Sequence, residues 1–307
     1  MGILVVGATF VDIKGYPETE YIPTGRNAGW IQYVHGGVAR NVVEDIANVE
    51  LRPTFLSVVD DSALGQDVVQ KLKNHKVNTD YLITRPDGMG TWMVVFDNDG
   101  EVAGSISKRP NMLPVLDLLE EKGDEIFAGA DSAVIEVDID KEIVKKVLDL
   151  CEKHGKKVFG LVSNMSIAAK RRDLLRRYTC FICNQQEAGQ LFMDDYSELT
   201  PQQMRDVLAD RLPKAEIPSM VVTMGGQGAV YADLKGNKGV CPARNVQVKD
   251  TTGAGDAFCA GVAIGLTYGK TLAQAIDIGS SLAASVIISS ENVCPRFQPA
   301  EFGIKLD

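Results

Sequence analysis

Short apolar runs alternate with helical stretches along most of this chain. Runs with the length and the Val, Ile, Leu and Phe content of buried strands are ILVVGATF at the start, PTFLSVV (53–59), SAVIEV (132–137), KVFGLV (157–162), TCFIC (179–183) and SMVVTM (219–224). Helical stretches near 64–75 and 141–154, and one from about Gln185, follow three of them. This alternation predicts an α/β fold with a mostly parallel, doubly wound sheet. Because the sequence has no internal repeat or low-complexity linker, it predicts a single domain over residues 1–307.

Two segments interrupt the alternation. Residues 13–35 are polar and rich in turns, and residues 90–107 indicate a hairpin around the sequence DNDG. Both are predicted to be antiparallel strands outside the α/β layers. Since ligands bind at the carboxyl edge of a parallel sheet, these segments predict a small β-sheet lid over that edge.

Composition limits the classes of function that are open. Lys and Arg (32) against Asp and Glu (41) give a net charge of −9, which argues against a general nucleic-acid binder but not against an anionic ligand. No apolar run is long enough to span a bilayer, and the opening segment lacks the basic region of a signal peptide, so a cytoplasmic protein without a membrane partner is expected. Cys180 and Cys183 lie within an apolar run, which favours buried strand cysteines over a zinc or redox site.

The segment QVKDTTGAGDAFCAGVAIGL (247–266) joins a glycine-rich turn to a predicted helix. The apolar stripe of that helix, which starts at Ala254, is Phe258, Val262 and Leu266. Gly253 and Gly255 let backbone N–H groups approach a ligand closely, and a helix N-terminus attracts anions. This segment therefore predicts an anion-binding site.

Asp256 lies in the first turn of the same helix, where its carboxylate would repel a bound anion. One interpretation is that Asp256 takes part in the chemistry. The alternative is that it only complements the helix dipole, as acidic residues in first turns do. The segment alone does not decide between them.

Two further groups of residues suit a ligand that carries hydroxyls. In HGGVARNVVEDIANV (35–49), Gly36 and Gly37 form a turn, and Asn41 falls in the first turn of a helix whose predicted apolar stripe is Val38, Val42, Ile46 and Val49. Asp12 follows the first strand, and a carboxylate accepts hydrogen bonds from adjacent sugar hydroxyls. An exposed Asn and a surface Asp remain the alternatives.

The second half of the chain carries two polar motifs. VVTMGGQGAVYAD (221–233) predicts a strand, a glycine loop with Gly225 and Gly228, and a second strand. The loop would let a nucleotide lie against backbone, and an ordinary hairpin is the alternative. Asn184 and Glu187 share one face of a helix start, a spacing that a capping box explains equally well.

In their order along the chain, these motifs resemble those of the ribokinase-like, phosphofructokinase B family of sugar and nucleoside kinases. Asp12, GGVARN, NQQE, TMGGQGA and DTTGAGD follow one another over the whole chain, and DTTGAGD is the most specific. The resemblance implies a ribokinase-like three-layer α/β/α sandwich with a small β-sheet lid. It also implies transfer of the γ-phosphate of ATP to a primary hydroxyl.

The resemblance assigns a role to each motif. Asp256 would be the catalytic base, and the N–H groups of Gly253, Ala254 and Gly255 would form the anion hole. The residues that would hold the acceptor are Asp12, Gly36, Gly37, Asn41 and Asp138, and those around the nucleotide are Asn184, Thr223, Gly225 and Gly228. Glu187 would hold Mg²⁺ through water, and Asp250 and Thr252 a monovalent cation, commonly K⁺.

The resemblance also bears on the acceptor. The segment VDIKGYPETEYIPTGRNAGWIQYVHGGVARNV is most similar to the pseudouridine-phosphorylating branch of the family, so pseudouridine is the expected acceptor. A ribokinase, a fructokinase, another nucleoside kinase and a non-catalytic ligand-binding regulator are the alternatives, and the intact Asp256 argues against the last. Arg26, Lys108 and Arg109 leave a phosphorylated sugar open as the acceptor. The family also implies a homodimer through the lid.

Overall fold

The computed structural model describes residues 2–305 and confirms the α/β fold. The strands are β1 (Leu4–Val6), β2 (Phe10–Pro17), β3 (Gly29–Gly36), β4 (Thr54–Val59), β5 (Leu82–Thr84), β6 (Gly90–Phe96), β7 (Val102–Lys108), β8 (Ser132–Glu136), β9 (Lys157–Leu161), β10 (Cys180–Asn184), β11 (Ser219–Thr223), β12 (Ala229–Asp233) and β13 (Lys238–Cys241). The large sheet has the order β13-β12-β11-β10-β9-β8-β1-β4-β5. The seven strands β11, β10, β9, β8, β1, β4 and β5 are parallel to one another. At the β11 edge, β12 and β13 continue the sheet with antiparallel pairing.

Helices cover both faces of this sheet. They are α1 (Val38–Asn48), α2 (Ala63–Asn74), α3 (Leu113–Ala128), α4 (Lys141–Lys153), α5 (Met165–Ala168), α6 (Arg172–Leu175), α7 (Gln185–Phe192), α8 (Pro201–Ala215), α9 (Ala254–Thr267) and α10 (Leu272–Ile287). Successive residues of a strand point to opposite faces, so Leu4 and Val6 pack into the core with α3, α4 and α8, whereas Ile3 and Val5 pack with α1, α9 and α10. The predicted three layers are therefore present. No helix among residues 2–305 combines the length and the apolarity needed to cross a bilayer.

A smaller sheet of four strands, in the order β3-β2-β6-β7, forms the lid. The predicted hairpin is confirmed, because β6 and β7 pair in antiparallel fashion around the DNDG turn. Strand β2 starts at Phe10 and β3 ends at Gly36, so the paired strands extend beyond the predicted segment of residues 13–35. Asp12 is therefore a residue of the lid sheet itself, paired with Val34 and Trp92.

The two faces of the lid differ. Asp12, Lys14 and Tyr16 lie on one face, where Tyr16 stacks on Trp30 and Phe96 with ring centroids 4.1 Å and 5.0 Å away. The opposite face, here called the outer face, carries exposed apolar side chains that the strand pairing brings together: Ile31, Tyr33, Met93, Val95 and Ile106.

The order of the large sheet locates the ligand crevice. Strand β1 lies between β4 and β8, so the chain winds outward in both directions from this point. In open α/β sheets such a switch point opens a crevice at the carboxyl ends of the strands. Here β1 leads into the lid, and β10 and β11 end at Asn184 and Thr223.

Candidate active site

The glycine-rich turn before α9 exposes backbone N–H groups. Gly253 has φ 81°, and a Cβ there would collide with the carbonyl oxygen of Asn292, so only glycine fits without strain. The Ala254 N–H donates to the Thr251 carbonyl at 3.2 Å, whereas the N–H groups of Gly253 and Gly255 have no acceptor among the residues that the structure describes. Two of the three amides predicted for the anion hole are thus available to a ligand.

The carboxylate of Asp256 is held from the other end of the chain. Asn41 Nδ2 donates to Asp256 Oδ2 at 2.7 Å, across 215 residues of sequence. Burial raises the pKa of Asp256 to about 7, although the Asn41 hydrogen bond and the Arg40 charge lower it. A carboxylate whose pKa lies near neutral pH suits a general base.

The residues predicted to hold the acceptor lie on the lid strands and on α1. A Cβ at Gly36 would lie 2.5 Å from Asp12 Oδ1, so this glycine makes room for the carboxylate. Gly37, with φ 95°, is the N-cap of α1 and brings Asn41 into its first turn. Burial raises the pKa of Asp12, and the positive charges of Lys14 and Arg40 oppose that rise. The charge of Asp12 also raises the pKa of Asp256, so the two carboxylates lie near each other.

Asp138 lines a different cavity, together with Phe10 and Arg109, and its carboxylate is occupied by the protein itself. Its carboxylate accepts hydrogen bonds from Arg109 Nη2 at 2.9 Å, from Ser163 Oγ at 2.7 Å and from the Ser163 N–H at 2.9 Å. Arg109 is therefore paired within the chain, while Arg26 and Lys108 are exposed. Next to Asp138 is Glu136, a buried carboxylate that the sequence did not single out, and whose pKa burial raises.

A cavity of about 490 Å³ opens beside the N-terminus of α9. Three of the predicted nucleotide residues, Thr223, Gly225 and Gly228, line it, and so do Ala254 and Gly255. Its other walls include the apolar side chains of Val246, Phe258, Ala283 and Ile287, and polar residues that include Arg244 and Asn245. The cavity thus suits a flat apolar group whose anionic end reaches the glycine-rich turn. Asn184 lies outside it, in an adjoining open groove that Thr223 and Gly225 also line.

Comparison with known proteins identifies the family. The pattern of the pfkB family carbohydrate kinases matches residues 2–296. The chain belongs to that family. It is therefore a kinase, a phosphotransferase that acts on a hydroxyl group.

Relatives of this kinase include enzymes with nucleoside acceptors. A guanosine-inosine kinase from Exiguobacterium acetylicum is 34% identical over 292 residues, which cover 94% of this chain and 95% of that protein. A pseudouridine kinase from Escherichia coli (strain K12) is 26% identical over 293 residues, which cover 92% of this chain and 90% of that one. The structure of Arabidopsis thaliana ribokinase complexed with ribose and ATP superimposes with a TM-score of 0.86 at 21% identity, over 99% of both chains. The ribokinase-like fold is thereby confirmed.

Asn184 and Glu187 of this pfkB kinase form a capping box at the start of α7. Asn184 Oδ1 accepts from the Glu187 N–H at 2.8 Å, and Glu187 Oε2 accepts from the Asn184 N–H at 2.8 Å. Burial raises the pKa of Glu187. The capping box uses Oε2 and leaves the second carboxylate oxygen, Oε1, for another partner.

Asp250 and Thr252 lie on the other side of the glycine-rich turn. Asp250 Oδ1 accepts from the Thr252 N–H at 2.8 Å, and this hydrogen bond lowers the pKa of Asp250. Both residues line a cavity of about 420 Å³ that lies between the lid, represented by Lys14 and Tyr16, and the segment that contains Asn292.

A buried polar cluster behind Asn41 was missed by sequence reasoning. Arg40 is completely buried in α1, where it pairs with Glu44 one turn later and donates to the carbonyl of His35 at 3.0 Å. Asn292 donates to the same carbonyl at 2.7 Å. The i, i+4 spacing of Arg40 and Glu44 was visible in the sequence, but on a helix this spacing usually marks an exposed ion pair.

Proposed function

We propose that this kinase transfers the γ-phosphate of ATP to the 5′-hydroxyl of a ribonucleoside. The observation that carries the proposal is the 2.7 Å hydrogen bond between Asn41 and Asp256, because it joins the acceptor side of the site to the N-terminus of α9. The cavity beside that N-terminus has a volume that suits a nucleotide base, and it combines apolar wall residues with a few polar ones, which include Arg244 and Asn245. The guanosine-inosine kinase, at 34% identity, supports a nucleoside over a free sugar.

In the proposed reaction, Asp256 accepts the proton of the acceptor hydroxyl through Oδ1, since Asn41 occupies Oδ2. The hydroxyl oxygen forms a bond to the γ-phosphorus, the bond from phosphorus to the β–γ bridging oxygen breaks, and ADP leaves with that electron pair. The N–H groups of Gly253 and Gly255 stabilise the negative charge on the transferred phosphoryl group, a contribution typical of phosphoryl transfer.

Glu187 would hold Mg²⁺ through water. Mg²⁺ keeps several waters and usually binds through one or two carboxylates together with substrate phosphates. The unshared Oε1 of Glu187 fits that requirement. The bound ion would neutralise charge on the β- and γ-phosphates.

We expect higher activity in K⁺ than in Na⁺ at equal ionic strength. The Thr252 N–H donates to Asp250 Oδ1, and the segment leads directly into Gly253, so a cation held by this carboxylate would strengthen the field at the anion hole. The measurement is the initial rate in matched chloride salts. Asp250→Asn is the control, in which the difference between the salts should vanish. Equal rates of the unchanged enzyme in both salts would remove this assignment.

The acceptor is tested by ADP release across guanosine, inosine, pseudouridine, uridine, adenosine, ribose, fructose and fructose 6-phosphate. We expect the highest kcat/KM for guanosine or inosine, on the strength of the 34% identical relative. Pseudouridine is the second candidate, because the segment of residues 11–42 resembles pseudouridine kinases and one such relative is 26% identical. An advantage of ribose or fructose over every nucleoside would refute the proposal. Preference for fructose 6-phosphate would direct attention to Arg26 and Lys108.

Asp12→Ala is expected to weaken acceptor binding while nucleotide binding stays intact. Each charge-assisted hydrogen bond lost is worth about 1.5–3 kcal/mol, so KM for the acceptor should rise at least about tenfold. Asp12 lies on the lid strand and not in the 490 Å³ cavity, so Kd for ATP should not change. The two constants are measured on the same purified variant. Equal loss of both affinities would indicate general damage to the site.

We further propose that the outer face of the lid pairs two copies of the chain. Its five side chains form an exposed apolar surface on a sheet, and Ile106 is 67% exposed. Such surfaces on soluble proteins mark contacts with other chains. Ile106→Asp should shift the sedimentation coefficient from dimer to monomer. Leu234→Asp, at another exposed apolar position remote from the lid, should not. A monomeric unchanged protein would refute the proposal.

A further inference from the structure

The orientation of the Asn41 amide is fixed by its acceptor end. Asn41 Oδ1 accepts from Arg40 Nη1 at 2.6 Å and from Asn292 Nδ2 at 3.3 Å. A guanidinium can only donate hydrogen bonds, so the atom that faces Arg40 must be the amide oxygen. The amide nitrogen is therefore directed at Asp256, and the reversed amide would place two acceptors against each other.

The two donors are themselves anchored. Arg40 is completely buried and is held by Glu44 and by the His35 carbonyl, at the end of lid strand β3. Asn292 donates to the same His35 carbonyl at 2.7 Å, an acceptor that fixes which end of its own amide faces Asn41. The Asn292 carbonyl in turn packs against Gly253 at the anion hole. One connected set of contacts thus joins the lid, Asn41 and the glycine-rich turn.

We propose that Arg40 and Asn292 are positioning residues, which hold the Asn41 amide so that Asp256 presents Oδ1 to the acceptor hydroxyl. The proposal rests on the proposed function only for the identity of the group that Asp256 deprotonates. Arg40 and the segment ENVCP (291–295) thereby gain a role, which the mechanism does not otherwise give them.

The charges around Asp256 provide a readout for the test. Arg40 and Asp45 face it from α1, Asp12 from β2, Glu187 from α7, and Cys259 lies one turn later on its own helix. Arg40 is the positive charge among them, and it lowers the pKa of Asp256, while Glu187 and Asp12 raise it. Removal of Arg40 therefore raises that pKa further, so a larger fraction of Asp256 is protonated and inactive at pH 7.

The first test replaces the buried pair by the double change Arg40→Met, Glu44→Met. Without Arg40, the buried Glu44 would keep Lys71 3.4 Å from Oε1, but Oε2 would lose its partner, and this loss could unfold the protein. We expect kcat at pH 7 to fall at least about tenfold, with part of the loss recovered at pH 9, because the acid limb of the rate profile moves to higher pH. Kd for ATP should stay unchanged. Arg177→Met is the matched control, because Arg177 pairs with Asp149 and Glu152 away from the site.

The second test, Asn292→Ala, removes one donor to Asn41 without changing any charge. Here kcat should fall by about 2- to 10-fold, the worth of one neutral hydrogen bond, with little movement of the pH profile. Asn292→Asp places an acceptor against Asn41 Oδ1 and should cost more than alanine. Melting curves confirm that each variant is folded.

A readout independent of turnover separates this inference from the proposed function. The pKa of Asp256 is measured by carbon NMR titration in the unchanged protein and in the double variant, with Asp256→Asn to assign the signal. A higher pKa in the double variant supports the positioning role even if no nucleoside is phosphorylated. An unchanged titration together with unchanged pH profiles and kcat in all folded variants would overturn it.

Discussion

Asp256→Asn is expected to lower kcat by about 10²–10⁴-fold, the usual contribution of a general base. Asparagine keeps the size and nearly the shape of the side chain but cannot accept the proton of the acceptor hydroxyl. Nucleotide binding should persist, because the proposed anion hole consists of backbone N–H groups and the 490 Å³ cavity does not include Asp256. The measurement is kcat together with Kd for ATP on one purified variant.

The pH profile gives an independent check on this assignment. Because burial raises the pKa of Asp256 to about 7, the unchanged enzyme should lose kcat/KM below neutral pH, as the carboxylate takes up a proton. The residual activity of Asp256→Asn should not show that loss. If Asp256 only complemented the helix dipole, the variant would lose under about 1 kcal/mol of stability and keep its turnover. A folded variant that retains more than about a tenth of kcat would contradict the role of base.

Gly253→Ala is expected to lower kcat by about 10²–10³-fold, comparable to the loss of one oxyanion-hole donor. Its φ of 81° is unfavourable for alanine, and the added Cβ would collide with the Asn292 carbonyl, so the turn must shift. A shift of the turn would displace the N–H groups that we propose stabilise the phosphoryl group. The melting temperature should also fall, and both quantities are measured on the purified variant.

Gly269→Ala is the control that separates damage to the glycine-rich turn from the general cost of backbone strain. Gly269 follows the other end of α9 and has φ 80°, almost the same as Gly253, but a Cβ there meets nothing within 4 Å. The control should therefore lose some stability and keep its kcat. Equal activity of the two variants would show that the turn before α9 does not place the anion-binding groups.

Much of the fold could be predicted from the sequence, because buried parallel strands leave short apolar runs that are separated by helices. The hairpin of β6 and β7 was visible for a similar reason, since the DNDG turn has a specific chemistry and Gly100 adopts φ 83°. The start of the lid was harder to place. Strand β2 begins at Phe10 because its register with β3 continues to Gly36, and such pairing between distant segments leaves no local signal.

Helix α1 shows why the polar cluster was missed. Its apolar stripe was predicted, and a helix with one stripe is expected to expose its remaining residues. In the structure α1 packs against the sheet on one side and against α9 on the other, so the polar residues from Arg40 to Asn48 are buried as well. The second side of α1 is buried by α9, which lies more than two hundred residues later in the chain. The local periodicity of the α1 sequence carries no information about this contact. Asn292 escaped notice for the same reason, because its partner Asn41 is 251 residues away.

The hydrogen bond between Asn41 and Asp256 spans 215 residues, and this span has a consequence for synthesis. Translation proceeds from the N-terminus, so the lid, α1 and the strands from β1 to β11 leave the ribosome before the glycine-rich turn exists. In the proposed mechanism, a nascent chain that has folded its acceptor side has no proton acceptor until Asp256, about five-sixths of the way through 307 residues, has emerged. Incomplete chains that bind the acceptor would therefore be unable to phosphorylate it.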